Sequence, residues 1–438
     1  MKPSIFNIVL FSKKGESVIF NTLTRSIVKV GNRAYSMLLK DPAFRSASAE
    51  RFRENFPEFK GLCEMGFVTE NTIDEFLVFK YWYNKEKFKN ETCVVTFAPL
   101  YRCNMRCVYC FEGDICDTVP DMTADTFKAS LSFLEKYIET RRPRLLDFNL
   151  FGGEPLLRRE LAEDLLAGVQ ALCVRRKVKV EVNVVTNGTL MRRDDLSALK
   201  RLGVGSIQVT IDGERETHDK RRPFKNKKGS FDVVFRNTLE AIDAGFQVVL
   251  NMNFDKENYG SISAFLEKFP AKYRKRVFVK FSPIKVTRSS RLQTHKLPGD
   301  ESAEMFFGLT KKLHDGGYRL DGLELNEYGP CTFLRNNFLT IDPRGDIGKC
   351  IYGMGDRDFV IGNVKDDFEL LMQNISQFVA VEPDFGSACR ECAVLPLCMG
   401  GCRRESRAAC GKTGGFLCGR KSIENGILRS LAYCEGGR

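Results

Sequence analysis

The middle of the chain alternates between apolar runs of strand length and stretches with helical periodicity. Strand-like runs occupy 93–100, 145–152, 178–188, 205–213, 246–253 and 277–283, and helical patterns occupy 124–139, 158–176, 192–202, 230–245 and 260–270. Repeated strand and helix is typical of a parallel sheet, because each strand returns through a crossover. Six such units are too few for a closed eight-stranded barrel. We therefore predict an α/β fold built on a partial (β/α)6 barrel.

The carboxyl ends of these predicted strands carry residues suited to chemistry. Cys103, Cys107 and Cys110 follow the first strand, and Gly152-Gly153-Glu154-Pro155 ends the second. Asn187 and Asp212 end the third and fourth. Because active sites of parallel α/β folds lie in the loops at this edge, we expect these residues to meet there.

Cysteine usage is the abnormal feature of the composition. The 438 residues include 16 Cys but only 3 His, which argues against His-based zinc or haem chemistry. The first residues do not resemble a signal peptide, and no run of 18 apolar residues exists. We therefore expect a cytoplasmic protein with reduced thiols, without a membrane span, whose clustered cysteines bind metal or do chemistry.

The formal charge of +12 raises the question of a nucleic-acid partner. The richest basic stretches are 175–182 and 220–228, and neither is a dense basic run. We interpret the first as a solvated surface and expect no nucleic-acid partner.

The first cysteine motif suits an iron–sulfur cluster with an open site. Three Cys within eight residues can hold three corners of a cubane, and no fourth Cys lies nearby. A structural zinc site is the alternative. The adjacent Gly152 and Gly153 permit close backbone approach to a ligand, and Glu154 offers an acceptor for an ammonium group. A plain tight turn is the alternative for this second motif.

Together these motifs resemble the radical S-adenosylmethionine (radical SAM) superfamily. The likeness rests on CxxxCxxC with an aromatic residue before the last Cys, on GGEP, and on the stretch IDGERETHDKRRPFKNKKGSFD. It implies a partial (β/α)6 barrel in which Cys103, Cys107 and Cys110 bind a [4Fe–4S] cluster whose open iron chelates SAM. It further implies cofactor contacts from Gly152, Gly153, Glu154, Asn187, Asp212 and Arg222. Among these, Gly153 and Glu154 would hold the SAM amino group, and Arg222, unless it is a solvated surface charge, the carboxylate.

The C-terminal cysteines resemble the SPASM domain, the auxiliary-cluster extension of radical SAM enzymes. The pattern is Cys331-x13-Gly345-x4-Cys350, then Cys389-x2-Cys392-x5-Cys398-x3-Cys402, then Cys418. The resemblance implies that Cys331, Cys350 and Cys402 hold one auxiliary [4Fe–4S] cluster, and that Cys389, Cys392, Cys398 and Cys418 hold another. A zinc ribbon is the alternative.

The fourth ligand position of the first auxiliary cluster has no assigned residue. Sulfatase-maturing relatives carry an extra Cys where this chain has Leu325. One interpretation is an open iron able to bind a substrate thiolate or a loop donor; the alternative is that Glu327, Cys410 or Cys434 fills the position. Four further cysteines, Cys63, Cys93, Cys116 and Cys173, have no spacing partner and are interpreted as buried thiols.

The N-terminal region, 1–92, reads as strands followed by helical periodicity from Ala34. It loosely resembles the winged-helix-like peptide-recognition module of peptide-maturing radical SAM proteins, with strand candidates at 17–21 and 26–30. A structural cap on the barrel is the alternative. We thus predict three domains: the module at 1–92, the barrel at 93–310 and the SPASM domain at 311–438.

The resemblance implies a radical SAM/SPASM maturase with three [4Fe–4S] clusters and SAM. Such an enzyme generates a 5′-deoxyadenosyl radical, takes hydrogen from a ribosomally made peptide and forms a thioether or carbon–carbon crosslink. Its partners would be a precursor peptide with a leader segment and an electron donor of flavodoxin or ferredoxin type. A sulfatase-maturing enzyme that forms formylglycine is the alternative, weakened by Ile351, where that family has an Asp. A third interpretation is a non-catalytic iron–sulfur or zinc protein.

Overall fold

A nine-stranded sheet forms the centre of the protein. It is seen in a computed structural model that describes residues 1–13, 16–31, 59–113, 115–284, 299–320, 329–411, 415 and 417–436. The strands are β1 Lys2–Pro3, β2 Asn7–Lys13, β3 Glu16–Asn21, β4 Ile27–Gly31, β5 Val68–Thr69, β6 Thr92–Phe97, β7 Leu145–Leu150, β8 Lys179–Thr186, β9 Val204–Thr210, β10 Gln247–Phe254, β11 Val277–Pro283, β12 Phe338–Ile341, β13 Asp346–Gly348 and β14 Val360–Asn363.

Helices connect and cover these strands. They are α1 Phe59–Glu64, α2 Glu75–Lys87, α3 Ile115–Thr118, α4 Ala124–Arg141, α5 Arg159–Arg176, α6 Arg193–Arg201, α7 Arg215–Arg221, α8 Phe231–Asp243, α9 Tyr259–Lys268, α10 Ala271–Arg274, α11 Gly299–Asp315, α12 Phe368–Ala380, α13 Leu395–Cys398, α14 Arg403–Cys410, α15 Arg420–Ser422 and α16 Arg429–Gly436. A π-helical segment, Ile423–Leu428, precedes α16, and short 3₁₀ turns lie at Pro155–Arg158, Thr332–Leu334, Ile351–Gly353, Arg357–Phe359 and Ser387–Cys389. None of the described helices has both the length and the apolar character needed to cross a membrane.

The six predicted strands form one parallel array in the order β11-β10-β9-β8-β7-β6. Every neighbouring pair is parallel, as in the pairings of Phe97 with Leu150 and of Leu150 with Val184. Apolar faces of the crossover helices cover the sheet, where Leu134, Leu165 and Val234 are fully buried. The prediction of an α/β fold with a parallel central sheet is therefore confirmed.

Local signals set the limits of the long crossover helices. The Thr123 hydroxyl accepts a hydrogen bond from the amide of Thr126 at 3.2 Å, which caps the start of α4. Arg142, directly after that helix, has φ of 50°, and Lys177 after α5 has φ of 55°. Left-handed residues at these points end the helices and return the chain to the next strand.

The C-terminal region extends the central sheet, which the sequence analysis did not predict. Strand β12 pairs parallel with β6, with Phe338 opposite Val94 and Ile341 opposite Phe97. Strands β13 and β14 then add in antiparallel fashion. Sheet hydrogen bonds therefore join the Cys-rich region to the first barrel strand.

The N-terminal strands β2, β3 and β4 form a separate antiparallel sheet. Strands β3 and β4 cover the predicted runs at 17–21 and 26–30, whereas the helical pattern predicted from Ala34 lies outside the described residues. The sheet packs on the Cys-rich region, where Phe20 shares a core cluster with Val394 and Leu397. The Thr22 hydroxyl donates to the carbonyl oxygen of Ala393 at 2.5 Å.

The loop after β7 holds the loop after β6 through close backbone contact. The amide of Gly153 donates to the carbonyl of Leu100 at 3.2 Å, and the amide of Glu154 donates to that of Arg102 at 2.9 Å. A Cβ atom on Gly153 would lie 2.1 Å from the Tyr101 carbonyl oxygen, and one on Gly152, whose φ is +128°, 2.3 Å from that of Leu100. Only glycine allows this contact, which fixes the chain directly before Cys103.

We expect Gly153→Ala to lower the free energy of unfolding by about 1–3 kcal/mol, because the added methyl group must displace backbone rather than a flexible side chain. Gly205→Ala in β9 is the matched control: its Cβ meets nothing within 4 Å. That variant should stay within about 0.5 kcal/mol of the wild type. Urea unfolding of both variants measures the difference, and equal stabilities would contradict the packing argument.

Candidate active site

A cavity of about 600 Å³ opens between the carboxyl ends of the barrel strands and the start of the C-terminal region. Seven of the residues predicted for the site line it: Cys103, Cys107, Cys110, Gly152, Gly153, Asn187 and Arg222. Residues from four different strand ends thus meet in one place. The convergence expected from a parallel sheet is therefore observed.

The inner face of the sheet forms the polar floor of this cavity. Thr96, Asn149, Gln208, Asn251 and Lys280 line it, each from a different strand. Closed barrels fill this position with bulky branched side chains. Amide, hydroxyl and ammonium groups here leave space and hydrogen-bonding capacity for a polar ligand.

Hydrogen-bond donors point at the sulfur atoms of the first cysteine motif. The Met105 amide lies 3.4 Å from Cys103 Sγ, and Asn187 Nδ2 lies 3.6 Å from the same atom. Burial raises the pKa of Cys103 to about 12, and the neighbouring Cys107 raises it further. The Cys103 thiol is therefore protonated and neutral. A bound metal would deprotonate it, and the N–H donors would then stabilise the thiolate.

Cys110 has the same kind of surroundings. The amides of Glu112 and Gly113 donate to its sulfur, while burial raises its pKa well above the ordinary range. Buried thiols surrounded by N–H donors are the environment in which cluster ligands occur. The donor set around the motif therefore fits an iron–sulfur cluster.

The Glu154 carboxylate does not line the cavity but holds the ends of two strands together. Its oxygens accept hydrogen bonds from the Thr186 hydroxyl at 2.8–2.9 Å, the Asn187 amide at 2.7 Å and the Leu156 amide at 3.0 Å. Burial raises its pKa to about 7, against the effect of these donors. The backbone of Gly152 and Gly153 is what this motif presents to the cavity.

The Tyr109 hydroxyl is the centre of a buried polar cluster that the sequence analysis missed. It donates to Asp212 Oδ2 and accepts from Arg222 Nη1 at 2.5 Å and Asn253 Nδ2 at 3.1 Å. Arg222 is only 5% exposed, so it is not a solvated surface charge. Burial raises the pKa of Asp212, and the Arg222 guanidinium opposes that rise. The aromatic residue before Cys110 was noted in the sequence, but nothing there identified its partners.

The stretch between Asp212 and Phe231 positions Arg222. The Asp219 carboxylate accepts hydrogen bonds from the amides of Ser230 and Phe231 at 2.7 and 2.8 Å. The Ser230 hydroxyl in turn donates to the Arg222 carbonyl at 2.6 Å. A buried ion pair between Arg221 and Asp255, 2.8 Å apart, anchors the same turn to the end of β10. Asp219, Arg221 and Ser230 of the motif therefore support the position of the Arg222 guanidinium.

The turn also pairs with the cysteine loop. The amide of Arg106 donates to the Pro223 carbonyl at 2.8 Å, and that of Val108 donates to the Arg221 carbonyl at 2.9 Å. An antiparallel bridge joins Met105 to Phe224. Backbone hydrogen bonds thus set the position of the whole motif relative to Arg222.

Three of the C-terminal cysteines, Cys331, Cys350 and Cys402, lie close together beside the same cavity. Burial raises the pKa of Cys350 to about 12, and thiolates at Cys331 and Cys402 raise it further. Their neighbours Thr332, Ile351 and Tyr352 line the cavity. A second thiol group therefore borders the space that contains the first motif.

The other four, Cys389, Cys392, Cys398 and Cys418, form a separate group. Burial raises the pKa of Cys389 to about 11, and the other three thiolates add to the rise. Cys389 packs with Phe76 and Phe79 of α2, so this group lies against the N-terminal region. In the part of the chain that the structure describes, no three Cys, His, Asp or Glu side chains converge on a point for a single metal ion.

The candidates for the open ligand are only partly placed. Leu325, Glu327 and the side chain of Cys410 lie outside the described residues, while Cys434 is in α16. Of the cysteines without a spacing partner, Cys93, Cys116 and Cys173 are buried and Cys63 is half-buried.

Sequence comparison supports the interpretation of the barrel motifs. Residues 98–269 match the radical SAM superfamily. Fe-coproporphyrin III synthase of Methanosarcina barkeri is 26% identical over 253 residues, which are 56% of this chain and 59% of that protein. The cysteine-type anaerobic sulfatase-maturating enzyme of Clostridium novyi is 25% identical over 332 residues, 69% of this chain and 85% of that enzyme.

Comparison of folds extends the likeness to nearly the full chain. The structure of Streptococcus suis SuiB bound to precursor peptide SuiA superposes with a TM-score of 0.55. The match covers 95% of this chain and 98% of SuiB at 14% identity, so it concerns the fold. Proteins of the superfamily bind SAM and a [4Fe–4S] cluster. The cysteine motif and the glycine contact therefore lie within residues 98–269, the part of this chain that matches a radical SAM domain.

Proposed function

We propose that the protein is a radical SAM/SPASM maturase that crosslinks a ribosomally made peptide through a thioether or carbon–carbon bond. The observation that carries the proposal is that two cysteine groups border one cavity, Cys103, Cys107 and Cys110 on one side and Cys331, Cys350 and Cys402 on the other. A substrate in this cavity would lie between a radical source and a second redox group. The fold likeness to SuiB, which was solved with a precursor peptide, supports the substrate class.

The proposed cofactors are three [4Fe–4S] clusters and SAM. Cys103, Cys107 and Cys110 would hold the first cluster, leaving one iron for SAM. Cys331, Cys350 and Cys402 would hold the second, and Cys389, Cys392, Cys398 and Cys418 the third. The proximity of thiols within each group and the N–H donors aimed at Cys103 and Cys110 support this assignment.

SAM would bind beside the first group of thiols. The bare backbone of Gly152 and Gly153 allows its amino group to approach, while the Glu154 carboxylate ties the loop that carries these glycines to the end of β8. Arg222 is the buried cation available for its carboxylate. Asn187 reaches the cavity directly, and Asp212 acts through Tyr109 and Arg222.

Bound SAM supplies a 5′-deoxyadenosyl radical after one-electron reduction by a donor of flavodoxin or ferredoxin type. The chain's own part is to bind, to orient and to exclude water. The polar floor, from Thr96 to Lys280, would hold a peptide main chain through its amide and hydroxyl groups.

The N-terminal sheet is proposed to receive the leader segment. Strand β4 pairs with β3 on one side, and no described strand pairs with its other edge. An extended peptide can add to such an edge through main-chain hydrogen bonds. We retain the domain limits of 1–92, 93–310 and 311–438, with β12 as the strand by which the third domain joins the second.

Formylglycine formation in a sulfatase is the alternative, because the Clostridium novyi enzyme aligns over 85% of its length. That reaction needs a base at the reacting carbon. Ile351, where the sulfatase-maturing family has Asp, lines the cavity with an apolar side chain. This residue favours the crosslinking function.

Anaerobic metal analysis tests the cofactor assignment. We expect about 12 irons per chain in the wild type. Replacing Cys103, Cys107 and Cys110 together by Ala should leave about 8 and abolish release of 5′-deoxyadenosine from SAM after reduction. Cys63→Ser is the control and should keep both the iron and the cleavage. Zinc in place of iron, or SAM cleavage by the triple variant, would contradict the assignment.

Co-expression distinguishes the two reactions. A short Cys-containing peptide encoded beside the gene should lose a pair of hydrogen atoms for each crosslink, measured by mass spectrometry. A sulfatase expressed with the enzyme should remain unmodified at its active-site Ser or Cys. Formylglycine in the sulfatase, together with an unchanged peptide, would replace the proposed function with the alternative.

A further inference from the structure

Glu112 is a buried carboxylate that the proposed chemistry does not use. It follows the cysteine motif by two residues, is 3% exposed and lines the cavity. Among the residues that the structure describes, its Oε1 atom has no hydrogen-bond partner. Buried polar atoms in folded proteins are nearly always paired, so an oxygen without a donor at a cavity wall marks a place for a ligand.

The backbone fixes this side chain in place. The Glu112 amide donates to Cys110 Sγ, and its carbonyl accepts from the Ile115 amide at 3.0 Å at the start of α3. These bonds fix the Glu112 backbone beside the last cysteine of the motif.

Three of the aromatic side chains that line the same cavity pack against one another. Phe111 stacks on Phe151 with ring centroids 6.1 Å apart and an interplanar angle of 17°. It also meets Tyr352 edge to face at 5.2 Å. The three rings come from the cysteine loop, the end of β7 and the turn after Cys350. We call Phe111, Phe151 and Tyr352 the aromatic wall.

Arg106 and Arg222 line the same cavity, and each guanidinium has a partner other than Glu112. Arg106 pairs with Asp117, and Arg222 donates to Tyr109, while Arg222 Nε has no partner among the described residues. Neither guanidinium donates to Glu112 Oε1. Within the described part of the chain this oxygen therefore has no donor, and the cavity is open to a ligand that supplies one.

We propose that Glu112 and the aromatic wall form a subsite for a cationic side chain, Lys or Arg, of the substrate peptide. The ammonium or guanidinium group donates to the Glu112 carboxylate, and the methylene stem lies along the rings. Aromatic faces attract such cations, and a charged hydrogen bond to a buried carboxylate is strong. The inference rests on the proposed peptide substrate and names the residue type that the site selects.

Peptide binding to the holoenzyme with saturating SAM and no reductant tests the subsite without turnover. The probes are acetylated, amidated pentapeptides with a central Lys or norleucine between glycines, titrated by calorimetry. These side chains share a methylene stem and differ in the charge. We expect the Lys peptide to bind at least about tenfold more tightly to the wild type.

Variants assign that preference to the named residues. Glu112→Gln should reduce the preference for the Lys peptide over the norleucine peptide to less than about threefold. Tyr352→Leu should weaken binding of the Lys peptide about two- to fivefold. Glu160→Gln, on the exposed face of α5, is the matched control and should keep the preference. Iron content and SAM affinity should be unchanged in Glu112→Gln.

Three results would overturn the subsite. Equal binding of the two peptides to the wild type contradicts it while leaving peptide binding intact. Loss of SAM affinity in Glu112→Gln assigns the carboxylate to SAM instead. Failure of both peptides to bind contradicts the subsite alone, because the maturase function also uses the leader segment and is tested by co-expression.

Discussion

The hydrogen bonds of the Tyr109 hydroxyl are the contact on which the geometry of the site depends. This one atom links the cysteine loop to Asp212 after β9, to Asn253 in β10 and to Arg222. In a buried setting such a network stabilises the structure by more than the sum of its separate hydrogen bonds, because each bond polarises the others. The loop is thereby held from two directions, by the Gly153 backbone on one side and by Tyr109 on the other.

The parallel sheet and the meeting point of the motifs could be predicted, because both follow from the local alternation of strand and helix patterns and from the right-handed crossover between parallel strands. Alternating apolar residues identified all six barrel strands, and a parallel sheet places their carboxyl ends together. The pairing of β12 with β6 could not be predicted, because a four-residue strand far along the chain carries no signal of its partner. The bonds of Tyr109 and the unpartnered oxygen of Glu112 depend in the same way on residues distant in sequence.

The C-terminal cysteines show where spacing stops being informative. Cys398 and Cys402 are neighbours in sequence, yet the structure brings Cys402 beside Cys331 and Cys350 and leaves Cys398 with Cys389. A left-handed turn at Met399, Gly400 and Gly401 separates them. Spacing alone thus gives the set of cysteines, and the division came from the SPASM resemblance; in the structure the division falls at this turn.

The parallel pairing of β12 with β6 has a consequence for how the chain can be divided. Removing the residues after the barrel would leave one whole edge of β6 without hydrogen-bond partners, next to the loop that carries Cys103. An uncovered strand edge in a parallel sheet is a template for aggregation. The Cys-rich region is therefore also the edge protection of the barrel, and a barrel separated from it would be expected to associate through β6.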